Sequence, residues 1–251
     1  YEDIGERMVG DIDFIVSENN YHKTIDLVLK NKYSKADNST KFLPASKHYP
    51  RLMKKGKIAA IEIHKELLLK KYSNEFNYSL IKNKTLISNK ITCMSYENQL
   101  CLSIFAKQIN DYGIIFKNIA LRNAYDAFIL SKKINTKTIS NKFNKLKLPL
   151  NNFLALCYEV FNKPASLNYE TSVETKKYIK TFYKLLSNKN YSKNHFKINS
   201  LKIFLTKRIH IIYKSLFIKE YRVWLFKKIT NKNWQNEKLV QLRLKKSKSN
   251  P

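Results

Sequence analysis

The sequence predicts an α+β protein, with a small mixed sheet within residues 1–90 followed by a helical region over 91–251. Three observations predict it. Apolar residues alternate with period two at 11–16 and near the end of 57–65. From about residue 91 they recur at three- and four-residue spacing instead. The 251 residues, 43% hydrophobic and 13% aromatic, suffice to bury a core and exclude a disordered chain.

Each element follows in order. Asp11-Ile12-Asp13-Phe14-Ile15-Val16 alternates and then turns apolar, as a strand does on joining a core. Ser17 is placed to cap a helix over 18–31, which sets Tyr21, Ile25, Val28 and Leu29 on one side. Strands at 47–53 and 57–65 flank the turn Lys54-Lys55-Gly56-Lys57. Ser95 can cap a helix reaching about 110. Helical patterns follow at 114–133, 151–162, 172–187, 197–218 and 220–230, with Pro149 and Pro164 as punctuation. Residues 243–248 read as a solvated basic tail.

The net charge is +29, and it is unevenly spread. Residues 1–26 hold seven acids and two bases, whereas 176–251 hold 21 bases and two acids. This pattern points to a cation site near the start and an anion-attracting surface near the end. The bases are 42 Lys and only 6 Arg, alongside abundant Asn, Ile and Tyr. AT-rich codons encode those residues, and nucleic-acid binders lean on Arg for bidentate contacts. Nucleic acid is therefore a weighed partner but not the favoured one. The basic segment 201–228 is interleaved with apolar residues from Ile203 to Phe226, and it is expected to be a core-facing stripe with snorkelling lysines. No run of 18 apolar residues occurs. Three scattered cysteines fit neither a disulfide framework nor a zinc site, and a cytoplasmic location is expected.

The chemistry-bearing residues sit on the predicted strands. Asp11 and Asp13, at i and i+2, project from one face. Two neighbouring carboxylates repel and are stable ionised with a cation between them. Gly10 leaves room for a ligand against the backbone. Glu62 and His64 share a face of the strand Ile61-Glu62-Ile63-His64. A third carboxylate beside Asp11 and Asp13 completes a cluster that can hold two hard divalent ions clamping the attacking and leaving oxygens of a phosphoryl transfer.

These residues carry a resemblance. Gly10-Asp11-Ile12-Asp13-Phe14-Ile15-Val16, Lys47-His48-Tyr49-Pro50 and Ile61-Glu62-Ile63-His64, in this order and spacing, resemble the polymerase-beta-type nucleotidyltransferase superfamily. More narrowly, they resemble an uncharacterised bacterial family of it. Arg7 matches that family's arginine before the aspartates, and Leu121-Arg122-Asn123-Ala124-Tyr125-Asp126 resembles its later arginine–aspartate segment. The resemblance implies a nucleotidyltransferase core over 1–90. Asp11, Asp13 and Glu62 would be catalytic metal ligands, with two Mg²⁺ ions, or Mn²⁺, as cofactor. Gly10, Arg7 and His48 would lie toward the nucleotide, and His64 and Arg122 toward the acceptor. The superfamily's glycine-containing phosphate loop would fall before Tyr1, so the sequence given is expected to lack it. Lys107 and Gln108 stand where the family carries a histidine-rich signal.

The expected activity is transfer of a nucleoside monophosphate from a nucleoside triphosphate such as ATP to an acceptor hydroxyl. The acceptor is open among sugar, metabolite, RNA and protein. The alternatives are a basic nucleic-acid-binding protein without chemistry and a degenerate homologue that binds a nucleotide only.

Overall fold

The computed structural model describes residues 10–36 and 46–241. A four-stranded mixed sheet has the order β1-β4-β3-β2, from β1 (Asp11–Ile15), β2 (Ser34–Lys35), β3 (Leu52–Met53) and β4 (Ala60–His64). β1 pairs parallel to β4, with Asp11 opposite Ala60, Asp13 opposite Glu62 and Ile15 opposite His64. β3 runs antiparallel to β4, and β2 to β3. A parallel pair needs a crossover between its strands, and helix α1 (Glu18–Lys30) lies in this one. Its buried Tyr21 and Ile25 pack with Leu52, Ile61 and Ile63 of the sheet.

The expected strand at 47–53 is interrupted. Only Leu52–Met53 forms regular strand, while His48 makes an isolated antiparallel bridge to His64. Pro50 has no N–H to give to a ladder, which accounts for the break. The sequence reading did not include the hairpin of β5 (Thr85–Ser88) and β6 (Ile91–Met94). Its two-residue turn, Asn89-Lys90, has both φ positive, at 48° and 66°, as a type I′ turn requires. Lys at the second position hides that turn from a search for Asn-Gly.

Helices α2 (Tyr78–Lys82), α3 (Tyr96–Phe105), α4 (Gly113–Phe116), α5 (Leu121–Ser131), α6 (Thr136–Ser140), α7 (Lys147–Val160) and α8 (Val173–Ser187) complete the first of two compact units. Ser95 caps α3 as expected, accepting from the Asn98 N–H at 3.3 Å. A π-helical turn over Ala106–Asn110 follows. The helix expected over 114–133 is two helices, because Lys117 turns left-handed at φ 54° and ends α4. Pro149 lies in the first turn of α7, where its missing N–H costs little, so this helix starts before the proline. Residues 149–157 are buried all round the helix. One apolar cluster joins Leu67, Leu68, Phe76 and Ile81 to Leu100, Ile104, Phe105, Leu150, Phe153 and Leu154. Glu75 reinforces it by accepting backbone N–H groups of Asn144, Lys145 and Leu146.

Among the described residues the second unit holds Ser46 and residues 197–241, the latter from the later part of α9 (Lys189–Phe217) through α10 (Lys219–Ile229) and α11 (Lys232–Gln241). The expectation of a core-facing stripe at 201–228 is corrected here. Ile211, Ser215 and Tyr221 are buried, but Ile209, Ile212, Leu216, Phe217 and Phe226 are exposed. The basic tail at 243–248 lies outside the described residues.

Candidate functional site

The site grows from the register of two strands. In a parallel pair, opposed residues project to the same side. Asp11 and Asp13 of β1 therefore share a face with Glu62 and His64 of β4. Ile12 and Phe14 take the other face, as the alternation predicts, yet remain 45% and 43% exposed. Among the described residues β1 is the sheet's edge strand, and α1 packs over β4 instead.

Arg51, just before β3, bridges two of the acids. Its Nη2 is 2.6 Å from Asp11 Oδ2, and its Nε is 3.1 Å from Glu62 Oε1. His64 Nε2 lies 2.9 Å from Asp13 Oδ1 and 3.5 Å from Glu62 Oε2. His48 Nδ1 is 2.8 Å from the Tyr49 carbonyl oxygen. A carbonyl can only accept, so this nitrogen carries the proton and donates. The same Nδ1 is 3.8 Å from Glu62 Oε2, and the His48 and His64 rings are 4.9 Å apart.

The cluster has a floor and an open side. The Glu62 and His64 side chains are 15% and 13% exposed, whereas Asp13 is 60% exposed. Asp13 is therefore the carboxylate that a dissolved ligand meets first. The hydrogen bond from His64 holds the Asp13 carboxyl below its ordinary value, against desolvation, and the charges of His64, His48 and Arg51 add to it. Burial pushes the Lys47 ammonium down, while Asp111, Glu62, Asp13 and Glu66 pull it back up. Glu62's hydrogen bond holds the Arg51 guanidinium firmly charged, with Asp11 adding to it.

One donor atom each from Asp13, Glu62 and His64 lies within 4.8 Å of the others. Two carboxylates and an imidazole on one face are a donor set that fits a divalent cation. Asp11 stands outside this trio, held by Arg51.

The other predicted residues are placed as follows. Among the described residues a Cβ at Gly10 would meet nothing within 4 Å, so none of them packs against the glycine or closes off its backbone. Arg7 lies outside the described residues. Arg122 is exposed on α5, and no ion pair joins it to the three acids among the described residues. Sequence reasoning missed Arg51 and gave Lys47 no role. Lys47 opens the Lys47-His48-Tyr49-Pro50 segment singled out above and Arg51 directly follows it, but nothing periodic marks a residue whose partners lie on other strands.

Comparison with known proteins adds one finding. A family profile described as an uncharacterised nucleotidyltransferase matches residues 1–162. That range holds the whole sheet, every residue of the acid cluster and the helices through α7. No curated protein and no solved structure matches the chain.

Proposed function

Because the chain belongs to this uncharacterised nucleotidyltransferase family, we propose that it transfers a nucleoside monophosphate to an acceptor hydroxyl on the β1–β4 face. The acceptor oxygen forms a bond to the α-phosphorus of a nucleoside triphosphate. The bond from that phosphorus to the bridging oxygen breaks, and pyrophosphate departs with the electron pair. The hydroxyl proton leaves through the Glu62 carboxylate.

The observation that carries this reading is the pairing of Asp13 with Glu62 across adjacent parallel strands. It sets two carboxylates side by side on a face with an open approach. Asp11, Asp13 and Glu62 would hold one or two divalent ions, Mg²⁺ by the hard-oxygen chemistry of acids and phosphates, with Mn²⁺ as the alternative. When bound, such an ion supplies charge neutralisation for the triphosphate. The protein's share is then positioning and a fixed electrostatic field. Asp13 presents its carboxylate outward, Glu62 holds the floor, and the open backbone at Gly10 leaves space for phosphate oxygens. We also propose that His48 and Arg7 lie toward the phosphates.

Thermal unfolding with Mg²⁺ and each nucleoside triphosphate tests the reading. A ligand that binds the folded state must raise the melting temperature. The expected result is a rise with metal and nucleotide together that exceeds the rise with either alone. Asp13→Ala should lose that increment while unfolding as cooperatively as wild type. No increment with any of the four nucleotides, or one undiminished in Asp13→Ala, contradicts the proposal.

A further inference from the structure

We propose that the metal position of this site is a mixed nitrogen–oxygen centre, with His64 Nε2 as a direct ligand beside Asp13 and Glu62, and that it therefore favours a first-row transition ion, Mn²⁺ included, over Mg²⁺. The inference rests on the metal-dependent reading above and specifies the ion.

The distances are those of ligands sharing one ion. At a bond length of about 2.1 Å, neighbouring ligands sit roughly 3.0 Å apart in an octahedron and roughly 3.4 Å apart in a tetrahedron. His64 Nε2 lies 2.9 Å from Asp13 Oδ1 and 3.5 Å from Glu62 Oε2. Little rearrangement is needed for one cation to replace the proton now shared between His64 and Asp13. Asp11 is engaged elsewhere, 2.6 Å from Arg51, which leaves His64 as the third donor of the trio.

The tautomer permits this. Metal binding through Nε2 requires the ring proton on Nδ1. His64 Nδ1 is buried and has no hydrogen-bond partner among the described residues. In this structure the Asp13 carboxylate, which can only accept, holds the proton on Nε2; a cation taking the place of that proton would leave the ring proton on Nδ1, which no N–H among the described residues fixes as an acceptor. No acceptor steadies an Nδ1 proton either, so the affinity is expected to be moderate. Imidazole discriminates among ions. It suits transition ions such as Zn²⁺, Fe²⁺ and Ni²⁺; Mn²⁺ is the weakest of the series and prefers oxygen, but it accepts a nitrogen ligand more readily than Mg²⁺, which takes an oxygen shell.

Pulsed electron paramagnetic resonance on the full chain with Mn²⁺ alone reads the ligand directly, because a bound imidazole imposes a ¹⁴N modulation on the metal signal. The expected result is ¹⁴N modulation that changes to ¹⁵N when the histidines are ¹⁵N-labelled. His64→Gln should lose it, whereas His48→Gln and His22→Gln should keep it. If His64→Gln does not fold, Asp13→Asn and Glu62→Gln take its place and should abolish the modulation. Mn²⁺ is expected to hold its position against an excess of Mg²⁺. Bound Mn²⁺ without nitrogen modulation overturns this inference and leaves the nucleotidyltransferase reading standing. Modulation that survives in His64→Gln, or in both carboxylate variants, also overturns it. Failure to bind any Mn²⁺ overturns the inference and the metal-dependent reading together.

Discussion

Arg51 is held by two carboxylates at once, Asp11 and Glu62, and so supplies one positive charge where the site gathers three acids. The guanidinium is half exposed, so the arrangement is worth no more than about 1 kcal/mol. Arg51→Ala should lower stability by about that much without metal, and by less with saturating Mn²⁺, which then provides the compensating charge. Denaturant midpoints with and without the ion read the difference. Asp13 gives a second expectation. Its folded-state pKa is depressed, chiefly by the His64 hydrogen bond. Such a group contributes stability that is present above its unfolded value of roughly 4 and is lost as pH falls through the lower folded value. His64→Gln should therefore flatten the acid limb of the stability profile below about pH 4; an unchanged acid limb contradicts the assignment. At this scale the acids were legible because period two fixes which side chains share a face. Arg51 was not legible, since its partners stand 40 and 11 residues away.

Regular elements were read where a single period ran for four residues or more. β1 alternates over Asp11–Phe14 and β4 over Ile61–His64, and α3 and α8 begin at serines that cap them. Two-residue strands such as β2 and β3 carry no period; β3 is placed by its pairing with β4, and β2 by its pairing with β3. The β5–β6 hairpin failed for a chemical reason, because Asn89-Lys90 adopts a turn that favours Asn-Gly. Lys90 has φ 66°, where a Cβ is unfavourable by about 1 kcal/mol or slightly more. Lys90→Gly should raise stability by up to about 1 kcal/mol, offset in part by the added freedom of the unfolded chain. Chemical denaturation checks it, and a loss of stability would contradict the turn geometry described.

The whole molecule joins a small acid-bearing sheet and its helices in one compact unit, and a short basic helical group forms a second. The net charge of +29 was legible, but its meaning was not, because lysine-rich composition and a built anion site look alike in a sequence. No helix among the described residues is long and apolar enough to cross a membrane. We propose that residues 1–90 carry the transfer chemistry and 91–251 support it. The central claim is that the chain moves the α-phosphorus of a nucleotide, and the path of labelled phosphorus tests it most directly. The full chain is incubated with Mn²⁺ or Mg²⁺, cell extract as the source of acceptor, and nucleoside triphosphates labelled at either the α or the γ position. The account predicts that α-label becomes attached to an acceptor, that γ-label leaves in pyrophosphate, and that Asp13→Ala abolishes both. Attachment of γ-label, the absence of attached label from any nucleotide, or undiminished transfer by Asp13→Ala would contradict it.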